Sequence, residues 1–214
     1  LHQDLPVGML LVRYDTGSVV TVEENMPPIF RQGPLVSLRP LEVGDAVCCQ
    51  RWVNDEEATR YLLVGRRPVT LQEEEDFLRG LSGNAAQVAC GIELNSSGTL
   101  VGVCGLHDID VVDRCATLGI FFGAEEHRRR GYGREALQLL LDYGFGTLNL
   151  HRVELQVLGG NERARRCYQA LGFREEGVAR AKRFVHGEYL DELHLGLLAT
   201  EWAAQRRGGA AAAR

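Results

Sequence analysis

Residues 115–141, CATLGIFFGAEEHRRRGYGREALQLLL, decide the fold of this chain. Apolar and β-branched residues over 115–122 predict a strand, and from Tyr132 apolar side chains recur at helical spacing, at positions 136, 137, 140 and 141. Between them lies a loop rich in arginine and glycine. The unpaired N–H groups and the dipole of a helix N-terminus attract anions. The stretch therefore predicts a strand, an anion-binding turn and a helix.

The glycines and arginines of the loop strengthen this prediction. We expect Gly131 and Gly133 to adopt positive φ and to bring the backbone close to a ligand. Nearby arginines add charge-assisted contacts to phosphate oxygens. The alternative is a solvated loop without a ligand. The spacing is that of neither a Rossmann nor a Walker A loop, because it lacks Gly-Lys-Ser/Thr and a third glycine at the expected offset.

Regular patterns continue on both sides of the loop. Thr70 and Glu73 form a capping box that begins a helix running through Leu81. A strand-helix-strand unit after the loop implies a right-handed parallel crossover in a mixed sheet. The predicted strands are 35–39, 87–93, 100–106, 115–122, 152–158 and two more ending with 193–198, and the predicted helices are 43–53, 71–81, 132–145 and 162–171.

The two ends of the chain differ from this central pattern. Residues 8–23 contain two β-branched runs around Asp15-Thr-Gly17, which is typical of a β-hairpin. Prolines at 27, 28 and 34 then interrupt the chain, so we expect residues 1–34 to form an N-terminal extension outside the main sheet. Residues 208–214 are rich in alanine and glycine, so we expect 203–214 to form a flexible tail.

Composition narrows the class of protein. A chain of 214 residues with 45% hydrophobic residues fits one domain, here 35–202. A net charge of −5 disfavours general nucleic-acid binding and suits a cationic substrate. We expect no membrane segment and no signal peptide, hence a cytoplasmic protein. Six cysteines without CxxC spacing predict free thiols and no metal site: Cys48, Cys49, Cys90, Cys104, Cys115 and Cys167.

Two further motifs follow the loop in sequence. Arg128-Arg-Arg-Gly131-Tyr-Gly133 matches the acyl-coenzyme A signature Arg/Gln-x-x-Gly-x-Gly/Ala. Residues 161–173, NERARRCYQALGF, and then 175–191 complete a set that resembles the GNAT superfamily from about residue 35 to 202. The resemblance is closest to its ribosomal-protein N-terminal acetyltransferases and spermidine acetyltransferases. It implies an α+β fold: a mixed, mostly antiparallel twisted sheet of about seven strands, about four flanking helices and a V-shaped opening between two parallel strands.

The resemblance also implies acetyl-coenzyme A (acetyl-CoA) as cosubstrate and assigns roles to residues. Backbone groups at the strand end would pair with the pantetheine arm, the loop would hold the pyrophosphate, and Asn161 would bind a pantetheine amide. Asn161 is equally suited to be a helix N-cap, and both roles are compatible. The implied cofactor-binding residues are Ile120, Phe121, Phe122, Arg128, Arg129, Arg130, Gly131, Tyr132, Gly133, Arg134, Asn161, Ala164 and Tyr168.

Tyr168 is the catalytic candidate. In the family a tyrosine here protonates the departing thiolate, and the alternative is a core aromatic residue. The reaction would be direct attack of a neutral amine on the acetyl carbonyl, with a peptide N-terminus, a polyamine or another small amine as acceptor. Cys167 is a rival nucleophile without a neighbouring histidine in sequence.

The general base stays open between three carboxylates and a water relay, because the strand 116–122 carries no acidic residue. The candidates are Asp108, Asp110 and Glu154. Two other classes of function compete with the enzyme: a catalytically degenerate acyl-CoA sensor, and an RNA-binding protein that uses residues 128–134, which the acidic composition disfavours. Exposed strand edges would allow a homodimer.

Overall fold

The computed structural model describes residues 9–13, 19–23, 28–62 and 67–212. The strands are β1 Met9–Arg13, β2 Val19–Glu23, β3 Arg31–Gln32, β4 Val36–Pro40, β5 Val88–Leu94, β6 Leu100–Asp110, β7 Cys115–Phe122, β8 Arg152–Leu158, β9 Arg174–Val185 and β10 Glu188–Leu198. The α-helices are α1 Ala46–Val53, α2 Glu56–Thr59, α3 Leu71–Leu81, α4 Tyr132–Gly146, α5 Glu162–Ala170 and α6 Ala199–Ala212. Short 3₁₀ turns cover Val43–Asp45 and Glu125–His127.

Eight strands form one twisted, mostly antiparallel sheet in the order β3-β4-β5-β6-β7-β8-β10-β9. The only parallel pair of this sheet, within the described ranges, is β7 with β8, and its register covers Cys115–Thr117 against Arg152–Glu154. The expected mixed α+β fold is confirmed. The strand count exceeds the expected seven because the two-residue strand β3 pairs with β4.

The two parallel strands diverge after their first three residues. From Leu118 onward β7 pairs only with β6, whose Gly102 lies opposite Phe122. In the same way β8 pairs only with β10 from Leu155 to Leu158. Beyond the first three residues, β7 therefore stays paired with β6 and β8 stays paired with β10, while β7 and β8 no longer pair with each other. The predicted V-shaped opening is this gap, and it leaves one backbone edge of β7 free.

Helix α4 forms the crossover between the parallel strands and packs on the sheet. Its buried residues include the four that the spacing predicts: Ala136, Leu137, Leu140 and Leu141. They join a single core with Leu106 of β6 and Leu155 of β8. Full burial of a leucine side chain stabilises a fold by about 1.5–3 kcal/mol. The packing therefore fixes the helix, and with it the loop that precedes it.

The N-terminal region differs from expectation at its boundary. Strands β1 and β2 pair antiparallel, as the hairpin composition predicts, while the turn at Asp15–Gly17 lies outside the described residues. The boundary at residue 34, however, is misplaced, because β3 already belongs to the main sheet. Phe30 fixes this segment through an edge-to-face contact with Tyr143 of α4, at a centroid distance of 4.8 Å.

The C-terminal residues that were expected to form a flexible tail are helical as far as Ala212. Helix α6 continues to Ala212 and buries Trp202, whose indole Nε1 donates to Asp142 Oδ1 at 3.0 Å. Arg206 adds an ion pair with the same carboxylate at 2.8 Å. Alanine has the highest helix propensity, so 210–212 extend the helix past two glycines. Within the described residues, no helix is long and apolar enough to cross a membrane.

Candidate active site

A cavity of about 490 Å³ occupies the gap between the diverging strands and is called the first cavity. The end of β7, the loop before α4, the end of β8, helix α5 and helix α2 form its walls. All but two of the cofactor-binding residues expected from the sequence line it. These are Ile120, Phe121, Phe122, Arg128, Arg129, Gly131, Gly133, Arg134, Asn161, Ala164 and Tyr168.

The loop before α4 presents a row of backbone amides. Arg129 and Gly131 have positive φ, 64° and 86°, and Gly131 is the N-cap of the helix. The first helical bond runs from Glu135 N to Gly131 O at 3.1 Å. None of the six N–H groups from Arg129 to Arg134 donates to any residue that the structure describes. Alternating backbone conformations with free N–H groups form an anion-binding nest.

Gly133 has a different role from the one expected. It is a helical residue and is absent from the described glycines with positive φ, so the prediction of a second positive φ is wrong. A Cβ there would lie 3.1 Å from Cε2 of Phe122. The missing side chain therefore lets the first turn of α4 approach the end of β7. Gly133 therefore brings the nest close to the strand by allowing close packing, whereas Gly131 supplies the turn.

Glu135 ties this turn to the sheet. Its Oε1 accepts hydrogen bonds from the backbone N–H groups of Leu35 at 2.6 Å and Val36 at 2.9 Å. A carboxylate in the first turn of a helix is also favoured by the helix dipole. The start of α4 is therefore held against β4 by a contact between residues 100 positions apart in sequence.

Arginines give the mouth of the first cavity a positive charge. Arg128, Arg129 and Arg134 line it together with Arg163 of α5, which the sequence analysis did not single out. Partial burial, followed by the charges of Arg128 and Arg129, lowers the pKa of Arg163. Crowded cations of this kind favour a polyanion between them. The cluster is local, since the chain as a whole carries a net charge of −5.

Two of the expected cofactor contacts point elsewhere. The guanidinium of Arg130 donates from Nε to Glu126 O at 3.0 Å, and its side chain does not line the first cavity. Tyr132 packs its ring against the hydrophobic core. Only the backbone amides of these two residues belong to the free row. Arg128, in contrast, lines the first cavity and donates from Nη2 to Phe122 O at 3.3 Å.

Asn161 caps helix α5 at the edge of the first cavity. Its Oδ1 accepts from Ala164 N at 3.2 Å, the N-cap contact expected of asparagine. Its side-chain NH₂ group makes no hydrogen bond within the described part of the chain. The acceptor half of the amide is thus engaged and the donor half is free. Both roles anticipated for this residue remain compatible.

Tyr168 is buried, lines the first cavity and meets Phe173 edge to face at a centroid distance of 5.9 Å. Burial raises its pKa well above the ordinary value for tyrosine. The phenol therefore stays protonated, and its hydroxyl makes no hydrogen bond to a described residue. A protonated, unpaired hydroxyl on the cavity wall is therefore in place to donate its proton.

Cys167 also lines the first cavity, yet its surroundings disfavour a nucleophile. Burial raises the pKa of its thiol despite the nearby charges of Arg134 and Arg163. The thiolate, which is the reactive form, is therefore suppressed. All six cysteines are free. No cluster of three or more His, Cys, Asp or Glu side chains that could hold a metal occurs among the residues described.

His107 is a candidate that the sequence analysis missed. It lies on β6, lines the first cavity and places Nε2 3.8 Å from the position of a Cβ on Gly119. Its Nδ1 lies 2.8 Å from Oδ2 of Asp108. An irregularity in the β6–β7 register between His107 and Asp110 accompanies this arrangement, and Asp108 has a φ of 52°. The result is an imidazole that is held by a carboxylate beside Gly119 of β7.

None of the three carboxylates proposed as a base lines the first cavity. Asp108 contacts His107 instead. Asp110 accepts from the N–H groups of Val112 and Asp113 in the β6–β7 turn, and Glu154 accepts from Arg152. Asp108 is therefore connected to the first cavity only through His107.

Known proteins resemble this chain over most of its length. Residues 36–174 match the family model described as an acetyltransferase (GNAT) domain. An uncharacterized N-acetyltransferase of Bacillus licheniformis is 32% identical, with 78% of this chain and 95% of the relative covered. A spermidine N(1)-acetyltransferase of Vibrio cholerae is 28% identical, with 78% and 95% covered.

Solved structures agree with this relationship. The crystal structure of spermidine N-acetyltransferase from Vibrio cholerae in complex with CoA and spermine superposes with a TM-score of 0.73 at 28% identity. The match covers 78% of this chain and 98% of that one. The sheet, its divergent parallel strands and the sequence relationship lead to one assignment. The chain belongs to the GNAT acetyltransferases, which transfer an acetyl group from acetyl-CoA to an amine.

Proposed function

We propose that this protein acetylates a primary amine by direct attack on acetyl-CoA in a ternary complex. The observation that carries the proposal is the row of six free backbone amides from Arg129 to Arg134 at the start of α4. Such a row, at the positive end of a helix dipole, suits a pyrophosphate. The Vibrio cholerae relative crystallised with CoA and spermine supports the same chemistry.

The first cavity offers a binding mode for each part of the cofactor. The arginines at its mouth, including Arg163, would contact phosphate oxygens. The free edge of β7 would pair with the amides of the pantetheine arm as an added strand. The side-chain NH₂ group of Asn161 would donate to a pantetheine carbonyl. This assignment leaves the acetyl group at the middle of β7, where Gly119 faces His107.

In the proposed reaction the amine nitrogen forms a bond to the acetyl carbon and the bond from that carbon to sulfur breaks. His107 accepts the amine proton, and Asp108 orients its ring. Backbone N–H groups on the free edge of β7 stabilise the developing oxyanion. Tyr168 donates its proton to the departing thiolate and regains one from solvent.

One experiment separates this enzyme from a sensor that binds acetyl-CoA without turnover. The purified protein is incubated with acetyl-CoA and with peptides, alkylamines or polyamines, while free thiol is measured. Release of thiol that depends on the amine, with the acetylated amine found by mass spectrometry, is the expected result. Tight binding of CoA by calorimetry without release for any amine would favour the sensor.

We also propose that the protein works in the cytoplasm as a homodimer. Six free thiols suit a reducing compartment, where disulfides are rare. The sheet ends at one side in β9, a twelve-residue edge strand whose residues are mostly exposed. An open edge of this length is a surface on which a second chain can pair. Light scattering would give the mass in solution.

A further inference from the structure

A second cavity of about 520 Å³ lies on the opposite side of β7 from helices α4 and α5. Its walls are α1 and α3 on one side and β5, β6 and β7 on the other. The side chains that line it are mostly apolar, among them Trp52, Phe77, Leu78 and Val103. It is called the acceptor cavity below, for the reasons that follow.

The two cavities meet at the middle of β7. His107, Gly119, Ile120 and Phe121 line both, together with Leu62. Gly119, Ile120 and Phe121 follow the point where β7 separates from β8. An acyl group at this point would face the first cavity through its thioester and the acceptor cavity through its carbonyl carbon. A nucleophile can therefore arrive from the acceptor cavity without displacing the cofactor.

Glu74 is the feature of the acceptor cavity that calls for a ligand. It is the only carboxylate that lines this cavity among the residues described, and it is 8% exposed. Its neighbours Glu73 and Glu75 pair with Arg67 and Arg79, whereas Glu74 has neither an ion pair nor a side-chain hydrogen bond within the described ranges. Burial raises the pKa of Glu74. A buried carboxyl without a partner is costly until a cation or donor meets it.

We propose that the acceptor cavity selects a primary amine with an apolar body and a single positive charge, which Glu74 neutralises until the ammonium group gives its proton to His107. The inference rests on the proposed function, because it takes the amine to be the acetyl acceptor. It narrows the acceptor to alkyl or arylalkyl monoamines and disfavours polyamines.

The selection follows from the number of positive charges that the acceptor cavity can compensate. One carboxylate compensates one ammonium group, and each further ammonium would lie unpaired against apolar walls. The first cavity offers a polyamine no second site of the same kind, because its buried Glu192 is already paired with Lys182 and Arg183 at 2.5 Å each. Glu57 lines it too, but its side chain is largely exposed to solvent. Burial of a hydrocarbon chain or ring against the apolar walls of the acceptor cavity is favourable.

The first test compares acceptors of matched length. Hexylamine and hexamethylenediamine share one carbon chain and differ by one charge, and spermidine adds further charges. We expect kcat/KM for hexylamine to exceed that for hexamethylenediamine at least about tenfold, the loss expected of one poorly compensated charge. Equal or higher kcat/KM for the diamine or for spermidine would overturn the inference while leaving the proposed acetyl transfer intact.

The second test assigns the selection to Glu74. Glu74→Gln should lower kcat/KM for cyclohexylamine about tenfold and change that for aniline less than about twofold, because aniline is uncharged at neutral pH and needs no counter-charge. Glu75→Gln, which removes an ion pair with Arg79 on the solvent side, is the matched control and should change neither. Equal losses for both acceptors with Glu74→Gln would overturn the role of its charge.

Binding separates this inference from the proposed function. Calorimetry with CoA-loaded protein should detect hexylamine in wild type and in Glu75→Gln, and about tenfold weaker binding in Glu74→Gln. If no amine is acetylated but this pattern is found, the acceptor cavity is assigned correctly and the proposed reaction fails. If acetylation occurs and hexylamine binding is independent of Glu74, the assignment fails alone. Unfolding temperatures of the two variants report whether either substitution disturbs the fold.

Discussion

The two cavities on either side of β7 are built by opposite means. The first cavity presents charged side chains and backbone groups: arginines, free amides and a helix N-terminus, most of them from one continuous stretch of chain. The acceptor cavity is mostly apolar, contains one carboxyl that has no partner among the described residues, and draws its walls from α1, α3, β5, β6 and β7 and from loop residues such as Leu62. A binding site formed by consecutive residues can be predicted from sequence, whereas a site formed by residues that are distant in sequence cannot. The predictions below test the separate roles of the two cavities.

Tyr168→Phe should have the largest effect on turnover. Removing the hydroxyl leaves the ring against Phe173 in place, so we expect kcat to fall about 100-fold to 1,000-fold, as for loss of a general acid, with little change in the Kd of CoA. Stopped-flow measurement of thiol release gives kcat, and calorimetry gives Kd. Tyr143→Phe, on α4 and outside both cavities, is the matched control. An unaltered kcat in Tyr168→Phe would remove the acid role.

His107→Asn should lower kcat/KM for alkylamines about 100-fold at neutral pH, because the amine then lacks a proton acceptor at the junction of the two cavities. The deficit should shrink as the pH approaches about 10, where alkylamines lose their proton to solvent. Asp108→Asn should produce a smaller deficit with the same pH dependence. The exposed His151, replaced by glutamine, serves as control. A deficit that stays constant across the pH range would contradict proton transfer to His107.

Gly131→Val should weaken binding of CoA about tenfold, because a β-branched residue is strained at positive φ by roughly 1–2 kcal/mol. Space is not the obstacle, since the nearest atom to a new Cβ is Leu35 Cδ1 at 3.7 Å. Gly131→Asn adds a side chain that tolerates the left-handed region and should retain most of the affinity. Calorimetric titration with CoA distinguishes them. Equal losses in both variants would point to a clash with the ligand rather than to backbone strain.

Arg163→Gln should have the smallest effect on cofactor binding. One exposed charge among four contributes modestly, so we expect the Kd of CoA to rise about threefold in low salt and to approach wild type in high salt. Arg166→Gln lies on the same helix outside the first cavity and is the control. Titrations at two ionic strengths make the comparison. A salt-independent loss would show that Arg163 acts through packing.

The fold and the cofactor side of the site were predictable to different degrees. The loop was predictable because the strand, the anion-binding nest and the helix follow one another in sequence. This pattern predicted the turn at Gly131. The role of Gly133 was misassigned, since its packing against Phe122 depends on how α4 meets β7. The loop motif and its charge predict cofactor contacts for Arg130 and Tyr132, although their side chains are turned to Glu126 and to the core.

The acceptor side could not be predicted from sequence. His107 and Glu74 lie 33 positions apart and carry no motif. Glu74 looks like its neighbours in the run Glu73-Glu-Glu75, and only the packing of α3 on the sheet decides which of the three is buried. The helical C-terminus was missed for a related reason. Trp202 docks on Asp142 of α4, a partner 60 residues away.

The carboxylate of Glu135 has a consequence for the N-terminal edge of the sheet. Because it accepts from the amides of Leu35 and Val36, it joins the turn before α4 to the start of β4, the strand next to the edge strand β3. If CoA occupies this turn as proposed, its binding opposes fraying of β3 and β4 by mass action on the folded state. The concentration of acetyl-CoA in the cell would thereby affect the lifetime of this protein against proteolysis as well as the rate of the reaction that it catalyses.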